Sequence, residues 1–272
     1  MTNTYSLSNS LNPSFETALM KVTAALDDAG LTYFIAGATA RDLMLHGVFG
    51  HEPIRATQDI DTAIYVSDWT EFESARQSLI QAGLQETQRI HRLREPKTGL
   101  PIDIIPFGKL ADEKGHIQWP PKYVETMSVV GFSEAFDSAL TIEHKDLCFK
   151  VASLPGIALM KLTAWDERGD ENSKDATDFF TIMDKYQLIH DGRMWEEYVP
   201  AEQWDYDMEK SAAFLLGFDV RDLLSEATKA VLWRIKEEKQ DALISAIART
   251  HKAASVDEVE EKLNVFWLGT GI

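Results

Sequence analysis

Cys148 is the single cysteine of this 272-residue chain. No disulfide can form within the chain, and a reducing compartment, the cytosol, is the expected location. No apolar run approaches the about 18 residues that a membrane-spanning helix needs. Residues 1–12 have neither a basic flank nor an apolar core, so a signal peptide is not expected there. Residues 1–11 are expected to form a disordered tail. Positive charge is also scarce: 27 Lys and Arg stand against 44 Asp and Glu, a formal net charge of −17. Such a field repels phosphate backbones and argues against non-specific nucleic-acid binding. The seven histidines show no metal-ligand spacing of the His-Glu-x-x-His kind. A nucleophile elbow and a P-loop are lacking too, so Walker-type ATP binding is not expected. The sequence has no internal repeat and no low-complexity segment.

What the chain does have is a pair of linked segments. Gly37-Ala38-Thr39-Ala40-Arg41-Asp42 is a small-residue turn that opens a helix, directly after the apolar run Tyr33 to Ala36. Thr57-Gln58-Asp59-Ile60-Asp61 then leads into a strand-like run ending near Val66. Side chains alternate along a strand, so Asp59 and Asp61 project from one side. Two neighbouring carboxylates are unfavourable unless a cation or proton neutralises them. A turn of small residues lets backbone N–H groups approach an anion. A third acid, Asp103, interrupts the β-rich run Leu100 to Phe107, and a lone carboxylate there is costly to bury. If its strand lies beside the first, the three acids converge. Three carboxylates can hold two Mg²⁺ ions roughly 3.5–4 Å apart, the arrangement that clamps an in-line displacement at phosphorus. The plain alternative for an Asp-x-Asp pair is a solvated strand edge.

The elements around these segments are legible. Asn12-Pro13 starts a helix that Gly30 ends. A helix is expected from about Thr39 to His46, and another from Ser67 or Asp68 to Gly83. Residues 85–107 read as a β-hairpin with a turn at Glu95–Gly99. Phe132 to Leu140 reads as a short helix, with two strands following near Leu140–Glu143 and Leu147–Val151. The alternation predicts an α+β fold, a mixed sheet with flanking helices over residues 12–150. From about residue 151 to 272 the pattern is helical. It includes Leu154 to Arg168, Lys174 to Tyr186, one helix through Leu223 to Ile235, one through Leu243 to Ala248, and one from Asp257 to Trp267.

Two further clusters stand out. Arg89, His91, Arg92, Arg94 and Lys97 lie just before the Asp103 strand. They form either a solvated hairpin tip or a positive rim for a triphosphate or an RNA end. Lys161 sits in an apolar helix, where it either snorkels to solvent or reaches a phosphate. Asp175 and Asp178 in the next helix are either first-turn acids serving the helix dipole or part of a site.

Gly37-Ala38 opening a helix, then Asp59-Ile60-Asp61, then Asp103, resembles the nucleotidyltransferase superfamily that includes DNA polymerase beta and the CCA-adding enzymes. Ala40-Arg41-Asp42 resembles the helix start of the CCA-adding group. Lys161 and Lys174-Asp175-Ala176-Thr177-Asp178 resemble the AbiEii abortive-infection group of bacterial toxins. The resemblance covers about residues 31–186. It implies a nucleotidyltransferase core that transfers a nucleoside monophosphate from an NTP to an acceptor, with Mg²⁺ as cofactor. Asp59, Asp61 and Asp103 would be the metal-binding and catalytic acids, joined by Lys161 and Asp175. Gly37, Ala38, Thr39, Arg41 and Thr57 would line the nucleotide side. Ala38 stands where the superfamily usually has Gly or Ser, which leaves phosphate contact to the backbone or to Thr39. The toxin-like resemblance implies an RNA (a tRNA 3′ end) or a protein hydroxyl as acceptor, and a cognate antitoxin as partner. A small-molecule, antibiotic-type nucleotidyltransferase and a non-catalytic NTP- or antitoxin-binding module are the alternatives.

Overall fold

In the computed structural model, which describes residues 4–51, 59–169, 173–190, 192–251 and 254–272, the chain divides into two units, Met1–Ser153 and Leu154–Ile272. The first unit carries β1 (Thr4–Ser6), α1 (Pro13–Asp28), β2 (Tyr33–Ile35) and α2 (Gly37–Asp42), which runs into a π-helical turn at Leu43–Val48. Then come β3 (Ile60–Tyr65), α3 (Trp69–Gln81), β4 (Gln85–Glu86), β5 (Arg92–Arg94) and β6 (Pro101–Phe107). The unit closes with β7 (His116–Gln118), β8 (Thr126–Ser128), α4 (Phe132–Asp137), β9 (Leu140–His144) and β10 (Leu147–Val151).

Helix starts follow side-chain caps. Asn12 accepts from the Ser14 and Phe15 amides at 3.0 and 3.3 Å, with Pro13 in the first turn. Asp68 accepts from Thr70 and Glu71 at 2.8 and 2.9 Å and so starts α3. Gly30, at φ +65°, follows the last residue of the α1 cap.

Eight strands form one mixed sheet in the order β1-β9-β10-β2-β3-β6-β5-β4, and β7 and β8 form a separate pair. At its centre β3 runs parallel to β6 and antiparallel to β2, and β6 runs antiparallel to β5. One face of β3 and β6 carries Ile60, Ile64, Ile102 and Ile104, all fully buried. The other face changes character along the strands. Asp61 and Asp103 stand at its start. Further along, Phe34, Phe107, Phe132 and Phe136 pack edge-on or tilted, with Phe34 and Phe107 centroids 5.4 Å apart.

Four local outcomes differ from the sequence expectation. Thr4–Ser6 is a strand rather than part of a disordered tail: it pairs in parallel with Thr141–Glu143, and the Ser8 amide donates to the Gly47 carbonyl at 2.6 Å. Backbone pairing at an open sheet edge holds a segment whose composition is merely polar. The helix expected from Thr39 begins at Gly37 and continues in π geometry to Val48. The strand expected over 85–93 is interrupted, because Thr87 Oγ1 accepts from the Arg89 amide and donates to the Arg92 carbonyl, building a turn in its middle.

In the second unit the difference lies at residues 223–225. This unit is all helix: α5 (Leu154–Arg168), α6 (Lys174–Tyr186), α7 (Met208–Arg221), α8 (Glu226–Glu238), α9 (Gln240–Thr250) and α10 (Val256–Thr270), with two short 3₁₀ turns before α7. Ser225 and Thr228 form a capping box, so α8 starts at Glu226 and leaves Leu223 and Leu224 in the preceding turn. Helices α7 and α10 meet through glycine. A Cβ on Gly217 would lie 2.1 Å from the Phe266 carbonyl oxygen, and one on Gly269 would lie 2.2 Å from the Phe214 carbonyl oxygen.

Because backbone atoms on both sides cannot yield, Gly217→Ala is expected to destabilise the helical unit by about 1–3 kcal/mol through overpacking. Thermal melting of the variant beside wild type measures it, and an unchanged midpoint would contradict the close helix contact.

Candidate functional site

The register of β3 and β6 builds the site. Asp61 pairs with Asp103 as direct parallel neighbours, so both side chains leave the same face. Asp59 stands one residue before β3, two before Asp61. One carboxylate oxygen from each of Asp59, Asp61 and Asp103 lies within 4.8 Å of the others, and all three residues are half-buried. Like charges directly opposite are destabilising in a sheet, and this cluster brings three together.

The α2 turn is fastened to these acids. The Ala36 amide donates to the Asp61 carbonyl at 2.9 Å. Gly37 has φ +60°, and a Cβ there would sit 2.1 Å from Asp61 Oδ2, so any other residue brings a strained backbone and a displaced Asp61. Thr39 is fully buried; its hydroxyl donates to the Asp59 carbonyl at 3.0 Å and accepts from the Asp61 amide at 3.2 Å. Of the two readings, phosphate contact by Thr39 or by the backbone, the geometry favours the backbone: the hydroxyl's hydrogen bonds go to the acidic strand and tie it to the helix. Ala38 is buried beside it. Arg41, also buried, binds Asp42 with Nε and a terminal nitrogen at 3.0 and 2.8 Å. Thr57, expected on the nucleotide side, lies outside the described residues, as does Arg55.

The basic hairpin is not a uniform rim. Arg94 pairs with Pro101 across β5 and β6, and Arg92 therefore falls opposite Asp103. The Arg92 guanidinium grips both oxygens of Asp103, at 2.6 and 2.5 Å. That bond, with Asp59 and Asp61 adding their charge, holds the Arg92 guanidinium above its ordinary range. His91 leans on the Trp119 ring, and burial, partly offset by Asp103, pushes its imidazole down. Arg89, Arg94 and Lys97 are exposed. Glu95 fixes the hairpin turn, taking bonds from Lys21, the Lys97 amide and the Thr98 amide at 3.0, 2.7 and 2.9 Å. The Lys21 ammonium, with these amides, holds the Glu95 carboxyl down to about 2. The Arg92 clamp is a site feature that residue types alone did not reveal. The signal was present in the hairpin register, since a turn centred on Pro96–Gly99 sets residue 92 against residue 103.

In the helical unit Lys161 and Asp175 come together. Lys161 Nζ lies 2.9 Å from Asp175 and 2.8 Å from Asp178, and Arg168 Nε lies 2.8 Å from Asp175. The Lys161 side chain is 12% exposed, so it does not snorkel to solvent. Burial works to lower its ammonium, but the two acids outweigh burial and raise it. Burial likewise works to raise Asp175, and Lys161 and Arg168 overcome it and lower it.

The three carboxylates offer only hard oxygen donors, the set that suits Mg²⁺ or Mn²⁺ rather than a soft metal. The close fit of Gly37 against Asp61 orients one of them. These residues thus fit a divalent ion.

No family model matches the chain, and no curated protein sequence matches it. Among solved structures, the antibiotic-resistance factor ANT(2'')-Ia is similar, with a TM-score of 0.36 at 14% identity over 90% of this chain and 100% of that one. An antigenic nucleotidyltransferase-like protein from Paracoccidioides brasiliensis gives 0.39 at 19% identity, over 80% and 94%. The Thermotoga maritima CCA-adding enzyme, in complex with tRNA, gives 0.27 at 12%, over 96% and 79%. At TM-scores below 0.5 none of these likenesses assigns a residue role to this chain.

Two outcomes are expected here. Gly37→Ala forces either a strained φ or a displaced Asp61, and is expected to lower the melting temperature and weaken divalent-ion binding, read by calorimetry. Lys161→Met, which suits an apolar helix by composition, removes the cation that Asp175 and Asp178 share, while Asp175 keeps Arg168. It is expected to cost about 3–5 kcal/mol at neutral pH. The sign with pH is fixed by the shifts. Asp175 is depressed, so its contribution is present above the ordinary carboxyl range and lost as pH falls through its lowered value. Lys161 is raised, so its contribution holds until pH rises through that raised value. Acidification neutralises Asp175 and with it the attraction that Lys161 supplies in wild type, so the deficit of the methionine variant should narrow as pH falls through the carboxyl range. A deficit that widens would contradict the pairing.

Proposed function

We propose that this protein is a divalent-metal-dependent nucleotidyltransferase that moves a nucleoside monophosphate from an NTP to a hydroxyl acceptor. One observation carries it: Asp59, Asp61 and Asp103 meet within 4.8 Å at the end of a sheet face, against a turn in which Gly37 at φ +60° packs directly on Asp61. Asp59 and Asp61 would hold the ion that receives the triphosphate, and Asp103 the ion nearer the acceptor. The metal supplies charge neutralisation and lowers the barrier to in-line displacement. The acceptor hydroxyl gives up its proton to solvent, its oxygen attacks the α-phosphorus, a new P–O bond forms, the bond to the β-phosphate oxygen breaks, and pyrophosphate leaves. This chain's residues position and neutralise rather than bond covalently. Thr39 keeps the two acid-bearing backbone positions in register. In this proposal Lys161 and Asp175 tie α5 to α6 and do not meet the nucleotide. The AbiEii-like toxin role, which rests on those residues, therefore gains no support from them.

The acceptor favoured here is a protein or small-molecule hydroxyl. Arg92, central to the basic hairpin, is committed to Asp103, and the chain carries a net charge of −17. A polynucleotide acceptor predicts activity that falls steeply with added salt, through counterion release; the proposed acceptors predict a shallow response.

The test is incubation with each α-labelled NTP, with and without Mg²⁺, together with cell lysate and with total RNA. Magnesium-dependent label on an acceptor is expected. Asp61→Asn should reduce it by at least about a hundredfold while leaving the melting temperature unchanged or raised, because like-charge repulsion is relieved. Nucleotide binding without any transfer would identify a non-catalytic module instead.

A further inference from the structure

The sheet places one cation in direct contact with the acid cluster. Arg92, Asp103 and Asp61 form a row across β5, β6 and β3, since Arg92 pairs with Asp103 and Asp103 pairs with Asp61. The two guanidinium bonds occupy both carboxylate oxygens of Asp103. Such bidentate, charge-assisted bonds are among the stronger polar contacts in proteins. The guanidinium keeps its charge at any working pH, so deprotonation cannot release it. Its side chain is 29% exposed while that of Asp103 is 14% exposed, so the arginine has the wider route to solvent. The backbone that carries Arg92 is anchored by the Glu95 turn. Opening the pair therefore requires a side-chain rotation and no strand movement.

We propose that Arg92 is a positioning residue that competes with the divalent ion for Asp103. In the nucleotide-free protein the clamp holds both carboxylate oxygens of Asp103, so an ion engages Asp103 only by displacing at least one guanidinium bond. This inference rests on the metal-dependent function proposed above. It adds that cation affinity is restrained by a neighbouring strand.

Binding of Mn²⁺ to the nucleotide-free protein, followed by loss of the free-ion spin-resonance signal, tests it without any turnover. Arg92→Gln is expected to raise Mn²⁺ affinity about tenfold, or to add a second ion per chain, because a competing positive charge is removed. Arg92→Lys keeps the charge but not the fork, and an intermediate gain is expected; it also serves if the glutamine variant fails to give a cooperative melt. In an Asp103→Asn background the Arg92→Gln change should shift affinity by less than about twofold, since the pair is already broken. Affinity that is unchanged or weaker in both arginine variants overturns the proposal, as does an equal gain in the Asp103→Asn background, which would reveal only a long-range charge effect. If wild-type Mn²⁺ binding is the same in Asp61→Asn, the metal-dependent function itself falls and the competition with it. If binding depends on Asp61 and ignores Arg92, only the competition falls.

Discussion

The site depends on one unfavourable contact: two aspartates placed directly opposite each other on parallel strands. Asp61 and Asp103 share a register position, and Asp59 adds a third carboxylate within 4.8 Å. A sheet can hold such a cluster only if something opposes the repulsion. Among the described residues, Arg92 on the next strand supplies opposing charge. Backbone bonds hold the geometry as well. The Ala36 amide, the Thr39 hydroxyl and the near-contact of Gly37 all act on the Asp59–Asp61 segment. Its acids cannot relax apart without breaking the start of α2.

The same strands explain why the cluster is rigid. Asp61, Ala63 and Tyr65 lie along one face of β3, and Asp103, Ile105 and Phe107 lie along the same face of β6. The far half of that face is filled by aromatic rings around Phe34 and Phe107. The opposite face is buried by isoleucines. A one-residue slip of either strand would put an aspartate into the isoleucine layer, so hydrophobic burial enforces the register that aligns the acids. A functional constellation mounted on strands with packed neighbours is held more tightly than one mounted on loops. Core packing and acid placement are therefore one constraint.

Much of this was legible in the sequence because it rests on local pattern. Apolar, β-rich runs identified β3 and β6, and the single charge within Leu100–Phe107 marked Asp103 as unusual. Caps at Asn12 and Asp68 and the glycine after Ala29 set helix ends. What was not legible depends on pairing between distant segments. Thr4–Ser6 is ordinary polar sequence and becomes a strand only because Thr141–Glu143 lies beside it. Thr39 looked like a ligand-facing hydroxyl, yet its partners are backbone groups twenty and twenty-two residues away. Lys161 looked like a snorkelling or phosphate-binding lysine, and its partners lie on the next helix. Arg92 looked like one of several surface cations until strand pairing set it against Asp103. Lys161 was grouped with Asp175 through the resemblance, but the direct ion pair between them, like the partners of Thr39 and Arg92, is a product of topology.

The charge balance of the whole chain extends this point to the acceptor. Positive residues are outnumbered, and several of them are engaged by acids. Lys161 sits between Asp175 and Asp178, and Lys262 lies buried against Asp184, Glu209 and Glu258 at 3.1, 2.5 and 3.1 Å. Arg234 and Lys239 both bind Asp166, and Arg193 binds Asp219. Cations engaged in this way hold helices together and contribute little to attracting a polyanion from solvent. On the acid-bearing unit the exposed cations of the hairpin reduce to Arg89, Arg94 and Lys97. Three such charges can orient a triphosphate, whose few negative oxygens are concentrated in one place. They are weak opposition to a field of −17 acting on a long phosphate backbone. Selection of a compact anion as donor, and of an acceptor without extended negative charge, is what this distribution of charge favours.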